Sequence, residues 1–270
     1  MRRPLVIDTF PFFNEFDVLE MRLTEMADAV DFVIAVEADV THQDTPKPYY
    51  LTEELATGDR FDRWKDKLIV VRATDLPTAD EYPNAWAREN AQREWIKFGF
   101  GEVPGLLMSD IVLQSDVDEI PRALPARNVR PKGFVAFGMR FHCWAVDWVH
   151  PDQWPGTVAG TVHAISKLGD RPLSRMRDLR GIAPCPSHLS DAGWHFTWLG
   201  GADRALAKAE AFAHPEVRGD IAAGVDDDLR FWRDGYHVDG TKLIPVNVDE
   251  GWPKWITEGH APASWYRPRP

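Results

Sequence analysis

The chain has 270 residues and a formal net charge of −11, with 44% hydrophobic and 27% charged side chains. That length suits one large domain or two small ones, and the apolar share is enough for an ordinary core, which excludes an intrinsically disordered chain. The acidic balance argues against non-specific binding to a nucleic-acid backbone or an anionic membrane surface.

In chain order, Leu5-Val6-Ile7 reads as a first strand, and Asp17 to Met26, with Leu19, Leu23 and Met26 on one face, as a helix. Asp31 to Glu37 is a second strand, apolar on both faces and therefore central in a parallel sheet. Lys67 to Val71 is a third. Asn84 is suited to cap a helix running to about Phe98, and Ile111 to Ser115 supplies a fourth strand. Phe134 to Phe141 and Gly193 to Thr197 read as further strands, and Asp203 to Phe212 as a helix. The alternation predicts an α/β fold, with a main domain over residues 1–215 and a C-terminal extension, 216–270, packed on it. In open sheets of this class ligands bind beyond the carboxyl ends of the strands.

Tryptophan is the compositional outlier, at 12 positions, and such an excess points to some indoles facing a ligand. The two cysteines, Cys143 and Cys185, stand in no zinc-ligand spacing and suggest a reducing compartment. No stretch has the length of a signal-peptide core or a membrane span, so the expected location is the cytoplasm.

The strongest chemical feature is Asp116-Val117-Asp118, after the fourth strand. On an extended segment, residues two apart point the same way, so both carboxylates can face one point. Hard cations such as Mg²⁺ or Mn²⁺ take oxygen ligands and complete their shell with substrate phosphates. The competing reading is a pair of acids that only opens the next turn. A calcium loop is excluded, because Pro121 and Arg127 stand where Gly and Glu are needed.

At neighbouring strand ends, the loop from Phe10 to Glu15 and the acid Glu37 can hold a nucleoside by stacking and hydrogen bonds. Core packing competes for Phe10, Phe12 and Phe13, and helix capping for Asn14. Lys47, Arg88 and Arg93 are candidates for a diphosphate. The two arginines, five apart on one helix, do not share a face, so one of them is structural or solvated.

Ordered blocks carry a family resemblance. They are Asp8-x-Phe10-x-Phe12-Phe13-Asn14-Glu15 with Leu19-Glu20-x-Arg22-Leu23, Val36-Glu37 followed by Pro46-Lys47-Pro48, and Trp86-x-Arg88-Glu89-x-x-Gln92-Arg93. Further along come Ser115-Asp116-Val117-Asp118-Glu119-Ile120-Pro121, Met139-Arg140, Trp154-Pro155-Gly156-Thr157 and Gly193-Trp194-His195-Phe196. From residue 8 to about 214 the chain resembles glycosyltransferase family 17. The resemblance implies a GT-A type, Rossmann-like fold around a central, mostly parallel sheet, a UDP-sugar donor with N-acetylglucosamine as default, and inversion at the anomeric carbon.

It also implies Mn²⁺ or Mg²⁺ held by Asp118, with Asp116 on the metal or the donor ribose, and His195 and His214 are each candidates for a further metal ligand or for the acceptor site. Inversion by single displacement needs a general base. Glu119, Asp191 and Asp226-Asp227-Asp228 offer carboxylates and His195 an imidazole, while a helix N-terminus competes as the role of the three consecutive acids. Trp144, Trp148, Trp154, Trp194 and Trp198, together with Arg140, fall where such enzymes build the acceptor side, although large rings are also core residues. The acceptor is a glycan or another hydroxyl-bearing molecule, a modified nucleobase included.

Two other classes compete. A metal-dependent nucleotide-sugar phosphohydrolase also uses paired aspartates, but a two-metal site calls on a richer histidine set, and the nine histidines show no HxH or HxxxH spacing. A non-catalytic carbohydrate-binding protein accounts for the tryptophans and not for acids at the end of a buried strand.

Overall fold

A computed structural model describes residues 2–181, 187–211, 219, 221 and 230–267. The strands are β1 (Val6–Pro11), β2 (Phe32–Ala38), β3 (Leu68–Ala73), β4 (Ile111–Gln114), β5 (Glu119–Pro121), β6 (Phe134–Cys143), β7 (Trp148–Val149), β8 (Trp154–Thr161), β9 (His188–Thr197) and β10 (Ile244–Pro245). Among the described residues they form one mixed sheet, ordered β10-β7-β6-β8-β4-β1-β2-β3, with β9 beside β6 and β5 beside β9.

The strands β4-β1-β2-β3 run parallel, as the apolar runs predict. Side chains alternate between two cores: Val6, Phe10, Val33, Ala35 and Leu113 enter one, and Ile7, Ile34, Val36 and Val112 the other. Burial on both faces is why these strands lack a polar stripe. The helix Phe16–Met26 covers the first face with Val18, Leu19, Met21, Leu23 and Met26. Asn84 caps the helix Ala85–Glu94, its side-chain oxygen accepting from the Trp86 N–H at 3.0 Å. The helix read as continuous to Phe98 instead ends at Glu94, and Ile96–Gly99 forms a separate turn. Gly99 lies so close to β2 that a Cβ there would stand 2.5 Å from Ile34 Cγ2.

Beyond β4 the sheet becomes mixed. β8 is antiparallel to β4 and β6, and β9 is parallel to β6 and antiparallel to β5. The sequence of β8, Trp-Pro-Gly-Thr-Val-Ala-Gly-Thr, has no alternation, and pairing with two neighbours makes it a strand. A third core joins Phe141, Cys143, Trp144, Trp148 and Trp198 to Phe231 and Leu243. Trp252, Trp255 and Trp265 are buried in the first core, where the helix Lys254–Thr257 meets the helix Phe16–Met26. No helix among the described residues is long and apolar enough to cross a membrane.

Candidate active site

β4 ends at Gln114 and the chain turns at once. The Ser115 N–H donates to Thr9 O at 3.1 Å and the Glu119 N–H to Asp116 O at 3.0 Å. Asp116-Val117-Asp118 is therefore a tight turn and not the extended segment its spacing suggested, and its two carboxylates meet different partners.

Arg22 supports the turn from beneath. Its guanidinium forks onto both oxygens of Asp8, at 2.7 and 2.6 Å, and donates to Ser115 Oγ at 2.6 Å. The remaining nitrogen reaches the carbonyls of Asp116, Val117 and Glu119 at 3.1, 3.1 and 2.8 Å. A planar fork with fixed donors suits this role. The Phe10 ring lies 4.4 Å from the guanidinium and is fully buried, so Phe10 belongs to this support and not to a nucleoside pocket.

Above the turn lies a cavity of about 360 Å³. Asp116 accepts from Arg93 at 2.5 Å and pairs with Arg177 at 3.4 Å and Arg180 at 3.6 Å. Desolvation pushes its carboxyl pKa up, but Arg177, Arg93 and Arg180 outweigh that and hold it well below the usual carboxylate range. Asp118 accepts from Lys208 Nζ at 2.7 Å, and its other oxygen faces His195 Nε2 at 3.6 Å. Against desolvation, Lys208 and His195 likewise hold the Asp118 carboxyl low. Lys208 is pushed up in turn, because Asp118 outweighs its burial. His195 is clamped between Phe141, stacked at 5.0 Å, and Trp154, at 4.5 Å.

Of the residues singled out from sequence, Phe12, Glu15, Lys47, Arg93, Asp116, Asp118 and His195 line this cavity. Lys47 sits over the rings of Phe13 and Tyr50, and burial lowers its pKa. Several others are placed elsewhere. Arg88 donates to the carbonyls of His42 and Tyr82, at 2.6 and 2.9 Å, and so is the structural member of the arginine pair. Glu37 receives the N–H groups of Leu51 and Thr52, each at 2.9 Å, and anchors the start of the helix Tyr50–Thr57. The Asn14 side chain caps nothing: Glu15 is the N-cap position of the helix Phe16–Met26, and its carboxylate takes the Phe13 and Asn14 N–H groups at 3.1 Å each. Asn14 lines a smaller neighbouring cavity.

Two of the carboxylates considered as general bases, Glu119 and Asp191, do not reach the cavity. Glu119 is buried and bound to Trp154 Nε1 (2.7 Å), the Asp116 N–H (3.0 Å) and Arg180. Asp191 points away, exposed, to Arg122 at 3.0 Å and Arg140 at 3.4 Å. Arg140 lines a separate groove beside Trp252. Trp144, Trp148 and Trp194 are packing residues, their indole N–H groups donating to the carbonyls of Tyr236, Trp232 and Gly251. Trp154 and Trp198 are the indoles that reach the cavity. His214 and Asp226 to Asp228 lie outside the described residues.

Arg177, Arg180 and Lys208, which carry most of the positive charge around the two aspartates, were not legible as site residues. The signal was faint: Arg177 and Arg180 stand three apart, and so on one face, after Pro172 at the start of the helix Pro172–Asp178.

Human beta-1,4-mannosyl-glycoprotein 4-beta-N-acetylglucosaminyltransferase is 27% identical over a match covering 72% of this chain and 40% of that protein, and the Rattus norvegicus protein gives the same figures. The chain thus spans about 40% of the length of the curated relatives it matches. Among solved structures, glucosyl-3-phosphoglycerate synthase from Mycobacterium tuberculosis, in complex with Mn²⁺ and UDP-glucose, is 12% identical, with 84% of this chain and 78% of that one covered. Its TM-score of 0.34 is too low to transfer fold detail or chemistry. The family model for glycosyltransferase family 17 matches residues 1–218, most of the 270-residue chain, and the chain belongs to that family.

Proposed function

We propose that the protein is a metal-dependent, inverting glycosyltransferase that moves a sugar from a UDP-sugar to an acceptor hydroxyl in the cavity above Asp116 and Asp118. The observation that carries this reading is the pairing of these two strand-end carboxylates with Arg93, Arg177, Arg180 and Lys208 on one cavity floor. Such a floor suits a diphosphate, because cations offset its charge while the acids hold them in position. The relatives named as N-acetylglucosaminyltransferases make N-acetylglucosamine the default sugar.

A divalent cation fits the donor set in one place. Asp118 Oδ1 and His195 Nε2 stand 3.6 Å apart, whereas the Asp116 oxygens are taken up by arginines. Asp118 and His195 would hold the ion, with diphosphate oxygens completing its shell. When bound, such a cation offsets the charge that develops on the leaving diphosphate. Arg177 and Lys208 orient the same phosphates, Phe13 and Lys47 form a wall for the nucleoside, and Trp154 and Trp198 offer indole faces to the sugars.

A panel of nucleotide sugars with Mn²⁺, with and without hydroxyl-bearing acceptors, tests the reading. Nucleotide release that grows with acceptor supports a transferase. Release indifferent to acceptor makes it a phosphohydrolase, and binding without turnover makes it a carbohydrate-binding module.

A further inference from the structure

Around Phe141, whose ring stacks on His195, lies a cluster that the transfer reaction does not use. The Phe141 ring is 5.0 Å from His195, 5.1 Å from His150 and 5.3 Å from His237. His150, His237 and Asp239 each present one ligand atom, and these atoms lie within 4.8 Å of one another. We propose that His150, His237 and Asp239 form a second metal site, for a Zn²⁺-class transition-metal ion, at the rim of the cavity.

The backbone fixes all three positions. His150 follows β7, its N–H donating to Phe141 O at 2.7 Å, and the Asp152 N–H donates to His150 Nδ1 at 3.1 Å, so Nδ1 carries the ring's lone pair and an ion bound there takes the place of that amide contact. His237 and Asp239 stand on a tight hairpin turn, closed by the His237 N–H to Thr241 O and the Gly240 N–H to His237 O, both 2.9 Å. One Asp239 oxygen accepts from the Thr241 N–H at 2.8 Å, which orients the carboxylate. The Thr241 N–H does for Asp239 what outer-shell hydrogen bonds do at known metal centres.

The His237 and Asp239 side chains face each other across the turn. His237 Nδ1 is 3.0 Å from Asp239 Oδ1, yet it is buried with no hydrogen-bond partner among the described residues.

Ligand atoms around a tetrahedral zinc with bonds of ~2.0–2.1 Å stand roughly 3.3 Å apart, so the widest pair must close by roughly 1.5 Å. Two imidazoles and one carboxylate select Zn²⁺ over Mg²⁺, because imidazole nitrogen is a poor ligand for the harder ion. Three protein ligands also leave a fourth position open, and His237 itself lines the cavity. An ion here ties the hairpin turn to the end of β7 and presents that open position to whatever occupies the rim.

The test uses the full chain, stripped of metal and titrated with Zn²⁺ in excess Mg²⁺, in an Asp118→Asn background that disables the other candidate cation site. About one zinc per chain should remain after gel filtration, and His150→Gln or Asp239→Asn should weaken zinc binding more than tenfold, beyond the ~10-fold lower bound seen for outer-shell changes. Asp239 is exposed, so Asp239→Asn keeps the test valid should His150→Gln misfold, with circular dichroism as the check. No zinc in the parent, or equal zinc in parent and a folded Asp239→Asn variant, overturns the proposal. The readout is independent of transferase activity, so failure here leaves the functional reading untouched.

Discussion

Arg22 and Asp8 form a two-pronged ion pair in which neither side chain is exposed to solvent. Arg22 spends its other donors on Ser115 and on three carbonyls of the turn that carries Asp116 and Asp118. The pair therefore couples the first strand of the fold to the geometry of the site.

Removing one partner leaves the other charged and buried. Arg22→Met should cost about 3–5 kcal/mol of stability, and it strips the turn carbonyls of donors as well. Arg22→Lys should recover only part of this, since an ammonium cannot fork onto both Asp8 oxygens and still reach the turn. Denaturant midpoints at fixed pH check both expectations; an Arg22→Met variant as stable as the parent contradicts them.

Asp118→Asn should lower transfer by ~10²-fold or more while the protein stays folded, the size of effect seen when one charge-stabilising group is lost. The same residue sets a pH dependence. Its carboxyl is held below the ~3.9 of an unfolded Asp, so its contribution is fully present above that pH and is lost as pH falls toward the folded pKa. Acid titration of stability should therefore be shallower below ~pH 4 in Asp118→Asn than in the parent. Equal slopes would mean that Lys208 and His195 do not stabilise the ionised form.

Arg177→Ala should raise KM for the nucleotide sugar by roughly 10- to 100-fold, the equivalent of a charged hydrogen bond worth about 1.5–3 kcal/mol. It should also let the Asp116 pKa rise, because Arg177 opposes its desolvation more strongly than the other neighbouring charges do. Steady-state kinetics against donor concentration decides the first point. A change in kcat alone would reassign Arg177 to a supporting role.

Two tryptophans give a contrast. Trp154→Ala removes an indole that lines the cavity and donates to Glu119, so turnover should fall. Trp144→Ala removes a buried ring stacked on Trp198 and Phe231, and should cost about 3–5 kcal/mol of stability with little effect on the turnover of the molecules that remain folded. Thermal melts beside single-temperature rates separate the two.

Much of the first half was legible in sequence. The parallel strands announced themselves as apolar runs, and Asn84 capped the helix it was expected to cap. Both signals are local: side-chain periodicity and capping depend on neighbours within a few residues. The separation of Arg88 from Arg93 followed from helix geometry as well. β8 was not legible, because a Pro- and Gly-rich strand owes its state to the neighbours it pairs with.

By itself, then, the sequence determined the α/β pattern, the family blocks and the location of the acidic turn at the end of β4. Only the tertiary structure decided which charges meet there. Lys208 reaches Asp118 across 90 positions and Arg177 reaches Asp116 across 61, while Glu119, Asp191 and three of the tryptophans are drawn into structural contacts instead. No periodicity encodes a contact of that range. It is set by how strands and helices stack, and by the need of each buried charge to find a partner.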